Sequence, residues 1–219
     1  MRIGTWNLEG RWSADHADAL AGADCDVWLL TEAPPRATLD GYEQHLSAAL
    51  TPGSLHWSGL LSRLPIERLP DPHPTAVVAR VDGVLMCASV LPWPFAEPGL
   101  PWEGESHLEQ LETTVAAVQA VLKSEDVVWG GGWNQPLHGN IVGFSPTVQA
   151  AILTAVDALE LQVPTASLTA RHGRGQSSID HVAVPASWVV AEVGKVDLPD
   201  GLSDHDAYWV DAAPADEED

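Results

Sequence analysis

The period of apolar and polar positions changes several times along the chain, and the changes mark out the elements. Residues 2–8 (RIGTWNL) alternate and are rich in β-formers, which predicts a first strand with Asn7 at its exit. Ser13 can N-cap a short helix through about Ala21, followed by a buried strand over Val27–Thr31. Residues 33–54 carry Pro, Gly and Asp and read as loop with a short helix or strand. His56–Ser62, Thr75–Arg80 and Val84–Leu91 read as strands, with a hairpin turn at Asp82-Gly83 between the last two. The proline-rich stretch LPWPFAEPGLPWEG from Leu91 must be irregular.

Helical spacing returns at Leu108, Leu111, Val115, Val118 and Leu122, and Ser106 with Glu109 fits a capping box at the start. Asp126–Trp129 reads as a short buried strand running into GGGWN. A second helix is expected from Pro146 to about Leu161, with Ser145 as its cap. Ser178–Val184, Trp188–Val196 and Ala207–Val210 complete the strands. Strands alternating with occasional helices, plus hairpins and no internal repeat, predict an α/β sandwich of mixed sheets covered by helices. A single domain over residues 1–211 is expected, with 212–219 (AAPADEED) as a mobile acidic tail.

Polar clusters punctuate this pattern at the strand ends. They are Asn7 and Glu9 in TWNLEG, Glu32 in VWLLTE, Asn134 in GGWN, Asp180 and His181 in SSIDH, and Asp204 and His205 in SDH. Strands that finish in carboxylates, amides and imidazoles gather ligands for metals and phosphates at one rim of a sheet. Glu32 follows four apolar residues, a placement that favours a metal ligand over a solvated surface acid. Asn7 and Asn134, taken locally, are amides of the kind that form turns at strand exits. His181 adjoins Asp180 and therefore faces the other side of its sheet, which marks it as packed rather than catalytic.

Composition narrows the range of partners. The 219 residues hold 31 Asp and Glu against 10 Lys and Arg, a formal charge of −21, and the only lysines are Lys123 and Lys195. Such a surface repels a polyanion and gains little from releasing phosphate counterions, so duplex nucleic acid is disfavoured. Arg171 with Arg174 is the only short basic candidate. Dense acids also serve solubility, and they favour a substrate that is small or neutral around its scissile bond. Cys25 and Cys87 suit a reduced cytoplasm and nothing demands a disulfide between them. The start MRIGTWNL enters a strand at once and does not read as a signal peptide, and no apolar run reaches membrane-spanning length. The oligomeric state has no signature.

The order WN-x-E, a strand-ending Glu, G-x-W-N, S-x-I-D-H and S-D-H over residues 3–209 resembles the endonuclease/exonuclease/phosphatase (DNase I-like) superfamily. The resemblance implies a four-layer α/β sandwich, two packed mixed β-sheets flanked by helices, with the site at one edge. It implies a phosphodiesterase or nuclease-like hydrolase that cleaves P–O bonds by in-line attack of water with Mg²⁺ or Mn²⁺. Glu32 would bind the metal, with Glu9 and Asp204 joining directly or through water. Asn7 and Asn134 would bind phosphate oxygens or orient other ligands. Asp180 would fix the tautomer of His205, which faces the scissile phosphate.

One position departs from the pattern. Family members usually read G-D-x-N, with the Asp orienting or deprotonating the attacking water, and here Gly132 stands in that place. No register shift restores a carboxylate, because Asp126 begins the strand. Three explanations remain open: an introduced inactivating substitution, natural loss of activity, or a base supplied elsewhere. Alongside the phosphoesterase, the sequence therefore carries a second reading, a catalytically silent member of the fold that binds a ligand or a protein. The strand Leu85–Leu91 also lacks the family's Tyr or His, and His107 is a surface residue or its replacement. Trp6, Trp28 and Trp129 read as core; Trp93, Trp102 and Trp133, beside rim loops, stack on a flat ligand or cover the sheet edge.

Overall fold

The computed structural model describes residues 1–96, 100–123, 126–138, 143–170 and 177–215. Arg171 with Arg174, and the acidic residues 216–219, lie outside them. In chain order the elements are β1 (Arg2–Asn7), α1 (Ala14–Gly22), β2 (Val27–Ala33), β3 (Glu43–Leu46), β4 (His56–Ser62), β5 (Ile66–Arg68), β6 (Ala76–Val81) and β7 (Val84–Val90). There follow α2 (His107–Leu122), β8 (Val127–Gly132), α3 (Pro146–Ala158), β9 (Leu161–Gln162), β10 (Asp180–Pro185), β11 (Trp188–Lys195) and β12 (Tyr208–Pro214).

The strands form two six-stranded sheets, ordered β11-β12-β1-β2-β4-β3 and β5-β6-β7-β8-β10-β9. Both are mixed: β1 runs parallel to β2 and β7 parallel to β8, while their other neighbours are antiparallel. Strand alternation gives each sheet two buried faces. Ile3, Leu29, Val77, Met86, Val128 and Val182 fill the seam between the sheets. Trp6, Trp28 and Leu30 turn outward to pack with Leu20 of α1. On the far side Trp129 and Cys87 pack with Val118 of α2 and Ile152 of α3. The result is the expected four-layer α/β sandwich, with Trp6, Trp28 and Trp129 in its cores. Cys25 and Cys87 are both free and buried, in the outer cores of opposite sheets.

Several boundaries differ from the sequence reading. β8 does not stop at Trp129 but continues through three glycines to Gly132, paired with β7 and β10. α3 ends at Ala158; Glu160 takes a left-handed φ of 53°, and Leu161–Gln162 becomes an edge strand on β10. β12 runs on to Pro214, because Ala212 and Ala213 pair with Val190 and Val189 of β11, so strand occupies the first residues assigned to the tail. The short β5 escaped periodicity altogether.

The topology brings several strand ends to one edge. Asn7 at the end of β1 pairs with Thr31 of β2, and Gly132 at the end of β8 pairs with Asp180 at the start of β10 and Val90 at the end of β7. The loop before β12, which carries Asp204 and His205, arrives at the same edge through Ser203, whose hydroxyl donates to the Asn7 carbonyl at 2.7 Å.

Candidate active site

Asn7 organises the first half of this edge. Its Nδ2 donates to Glu32 Oε1 at 2.9 Å, and its Oδ1 accepts from the Glu9 amide at 2.8 Å in an Asx-type turn. Two left-handed residues make the bend possible, Glu9 at φ 50° and Glu32 at φ 49°. Such backbone in non-glycine residues is strained and concentrates at functional sites. Glu32 is half-buried, and among the described residues its second oxygen has no hydrogen-bonding partner. Glu9 is more committed: Oε1 pairs with Arg11 at 3.0 Å and Oε2 accepts from the Asp204 amide at 3.1 Å.

Across the edge, Asp180 is buried and its Oδ2 holds His205 Nδ1 at 2.6 Å. The ring's other nitrogen, Nε2, lies 3.7 Å from Asp204 Oδ1, and the Asp204 side chain is 64% exposed. Burial by itself lowers the imidazole pKa, but the charge and hydrogen bond of Asp180 outweigh it, with Asp204 and Glu32 adding, and push it up to about 9. His205 is therefore an imidazolium at neutral pH in the metal-free protein. Glu32 thus lies close enough for its charge to act on the ring. Ser203 Oγ receives the His205 amide at 3.1 Å, and Trp6 Nε1 donates to the His205 carbonyl at 3.2 Å, so the loop is fixed on both sides.

Asn134 has a left-handed φ of 54°, and its Nδ2 donates to the Leu91 carbonyl at 2.8 Å, tying the end of β8 to the end of β7. His181 points, as expected, to the outer core, where its ring lies 5.4 Å from that of Trp133 and Nε2 meets the Gln135 carbonyl at 2.9 Å. Full burial pushes its pKa down to about 4. His107 is half-buried, and its Nε2 meets the Pro92 carbonyl at 2.9 Å, which ties the start of α2 to the proline-rich loop. Trp102 and Trp133 are buried, and Trp57, Trp93 and Trp102 pack edge against face as a cluster that covers the rim.

The three glycines of β8 are not equivalent. A Cβ on Gly131 would collide with the Ser89 carbonyl at a left-handed φ of 121°, and one on Gly130 would stand 2.6 Å from the His181 carbonyl. Gly132 has an ordinary φ, and its Cβ would meet Asp180 Oδ1 at 3.4 Å and Thr31 Oγ1 at 3.5 Å. Backbone geometry requires the first two glycines and leaves the third free to carry a side chain. Thr31, Ser203 and Arg11 escaped the sequence reading, although the Thr of TE and the Ser of SDH stand inside motifs already singled out.

Among the described residues no three His, Cys, Asp or Glu side chains form a closed metal cage. Glu32, with one uncommitted oxygen, is a single carboxylate of the kind that a largely hydrated hard cation accepts.

The chain belongs to the endonuclease/exonuclease/phosphatase family, whose profile matches residues 4–205. This is a family of metal-dependent nucleases and phosphatases. An AP endonuclease from Archaeoglobus fulgidus has a similar structure, with a TM-score of 0.74 at 15% identity over 96% of this chain and 98% of that one. The 3′ phosphatase NExo from Neisseria, bound to product DNA hairpin, gives 0.71 at 16% identity over 96% and 98%. The endonuclease domain of TRAS1, a telomere-specific non-LTR retrotransposon, gives 0.69 at 16% identity over 97% of both chains. At these identities the likeness establishes the fold. No curated protein matches the chain in sequence. Among the described residues no helix is long and apolar enough to cross a membrane.

Proposed function

We propose that the protein is a phosphoesterase dependent on Mg²⁺ or Mn²⁺, acting on a small phosphodiester, a phosphomonoester or a short nucleic-acid end in the cytoplasm. The observation that carries this reading is the pairing of His205 Nδ1 with buried Asp180 at 2.6 Å, opposite a Glu32 that Asn7 pins at 2.9 Å. Glu32 would hold the cation, with Asp204 and Glu9 acting through its waters. Bound there, the cation supplies Lewis-acid polarisation of the phosphoryl group and stabilises the leaving oxygen.

The chain's own residues supply the rest. His205, charged and oriented by Asp180, presents Nε2–H to the negative charge that builds on the phosphoryl oxygens. Asn7 fixes Glu32, and Asn134, with one amide hydrogen already on Leu91, has a second for a phosphate oxygen. Gly132 withholds the carboxylate that would orient water, so catalysis is expected to be weak; loss of a positioned base costs about 10²–10⁴-fold. That same absence favours the second reading, a silent member that binds ligand or partner through the same edge.

The two readings separate when the chain and Gly132→Asp are assayed with Mg²⁺ or Mn²⁺ on bis-p-nitrophenyl phosphate, on nicked DNA and on single-stranded DNA. Slow hydrolysis by the native chain, lost in Glu32→Gln, supports the enzyme. Hydrolysis by neither form supports the binding module.

A further inference from the structure

The space beside Gly132 has no role in the mechanism above, yet two buried polar atoms face it. Asp180 gives Oδ2 to His205, while its Oδ1, 3.4 Å from the Cβ position of Gly132, is buried with no hydrogen-bonding partner among the described residues. Thr31 Oγ1, 3.5 Å from the same point, is likewise buried and unpartnered. Thr31 is wholly buried and Asp180 is 2% exposed. A carboxylate oxygen and a hydroxyl left unpaired in a protein interior are costly, and native structures rarely leave such pairs without a polar neighbour.

The chemistry of the two atoms defines the occupant. The hydroxyl donates and the carboxylate accepts, so the occupant must accept one hydrogen bond and donate another. An anion is repelled by Asp180. A divalent cation would require more oxygens than these two provide. A single water, which donates as well as accepts, satisfies both.

We propose that the space over Gly132 is a fixed water site held by Thr31 Oγ1 and Asp180 Oδ1, and that this water makes the hydrogen bond to the attacking water which a carboxylate at 132 would otherwise make. Its catalytic part rests on the phosphoesterase reading; the site itself does not. Thr31 becomes a positioning residue, and Asp180 serves two ends, orienting His205 through one oxygen and the water through the other. A neutral water orients the nucleophile without accepting its proton as a carboxylate would.

The test combines density with kinetics. Crystals of the native chain grown with Mn²⁺ are expected to show a peak within about 2.6–3.2 Å of both oxygens and no anomalous signal there. In Gly132→Ala, whose methyl fits the space, the peak disappears. Both Gly132→Ala and Thr31→Val are expected to lower kcat by about tenfold, the value of about one hydrogen bond, with KM and Mn²⁺ affinity unchanged. Thr31→Ser restores both peak and rate, which keeps the test valid if one variant folds poorly. Empty density in the native chain, Mn²⁺ in the space, or a full rate in Gly132→Ala overturns the proposal. If the native chain hydrolyses nothing while the peak is present, the phosphoesterase reading falls, and the catalytic role with it, but the site stands.

Discussion

Glu32 stands near the end of β2 and Glu9 two residues beyond Asn7, but their surroundings give them different prospects as ligands. Glu32 retains one uncommitted oxygen, whereas both oxygens of Glu9 are engaged by Arg11 and the Asp204 amide. Calorimetric titration with Mn²⁺ should therefore show Glu32→Gln losing more than about a hundredfold in affinity and Glu9→Gln about tenfold or less. Equal losses would place both carboxylates on the metal. Asp180 makes a second residue-level forecast. With its charge removed in Asp180→Asn, burial is left to dominate, and the His205 pKa should fall from about 9 to below 6.5 in metal-free protein, read from the imidazole proton shifts by NMR. The sequence identified both carboxylates and the Asp–His partnership through the family motif. It could not reveal that Asp180 Oδ1 is left over, because that depends on which oxygen faces which sheet.

At the scale of elements, β8 is the informative case. Periodicity ended the strand at Trp129, before the glycine run, and glycine judged by propensity alone weakens a strand. Tertiary contact overrides propensity: Gly130 and Gly131 are where the neighbouring backbones of β10 and β7 approach too closely for any side chain. Alanine at these positions separates the roles. Gly131→Ala should cost at least about 3 kcal/mol in urea unfolding through strain and collision, and Gly132→Ala less than about 1 kcal/mol. A large loss at 132 would mean that the strand end has less room than the geometry gives it. The α2 start was legible in detail, since Ser106 Oγ does receive the Glu109 amide at 3.2 Å. The reciprocal bond differs: Glu109 reaches the amide of Glu105 rather than that of the cap. Ser106→Ala is expected to cost about 1 kcal/mol by the same measurement.

For the whole molecule, charge and buried histidines shape stability with opposite signs. His205 has its pKa raised above the unfolded value of 6.5, so its contribution is complete below pH 6.5 and lost as pH rises through about 9. His181 is lowered to about 4, and His45 and His73 are lowered by burial too, so these favour the fold above pH 6.5 and oppose it as pH falls. Each of the first two is worth at most about 3 kcal/mol. Metal-free protein should therefore be most stable near pH 6.5, with His181→Gln flattening the acid limb and Asp180→Asn the alkaline one in a series of thermal melts. A monotonic profile would contradict these assignments. A charge of −21 repels itself across the surface, so raising NaCl from about 0.05 to about 0.5 M should raise Tm by a few degrees, through screening.

Hydrophobic periodicity determined, without coordinates, the α/β sandwich and most of its elements, and the resemblance to a family, carried by the polar residues at the strand ends, singled out the groups at its edge. Those features are local: side-chain direction follows from a period of two, and a strand exit shows in the residues beside it. Distances between groups far apart in sequence are not local. That Thr31 and Asp180 aim at the same point beside Gly132, that Glu9 caps Asp204, and that β12 continues into the acidic end were decided by how two sheets pack and pair. Packing between surfaces fixes those separations, and no pattern along a single strand carries that information.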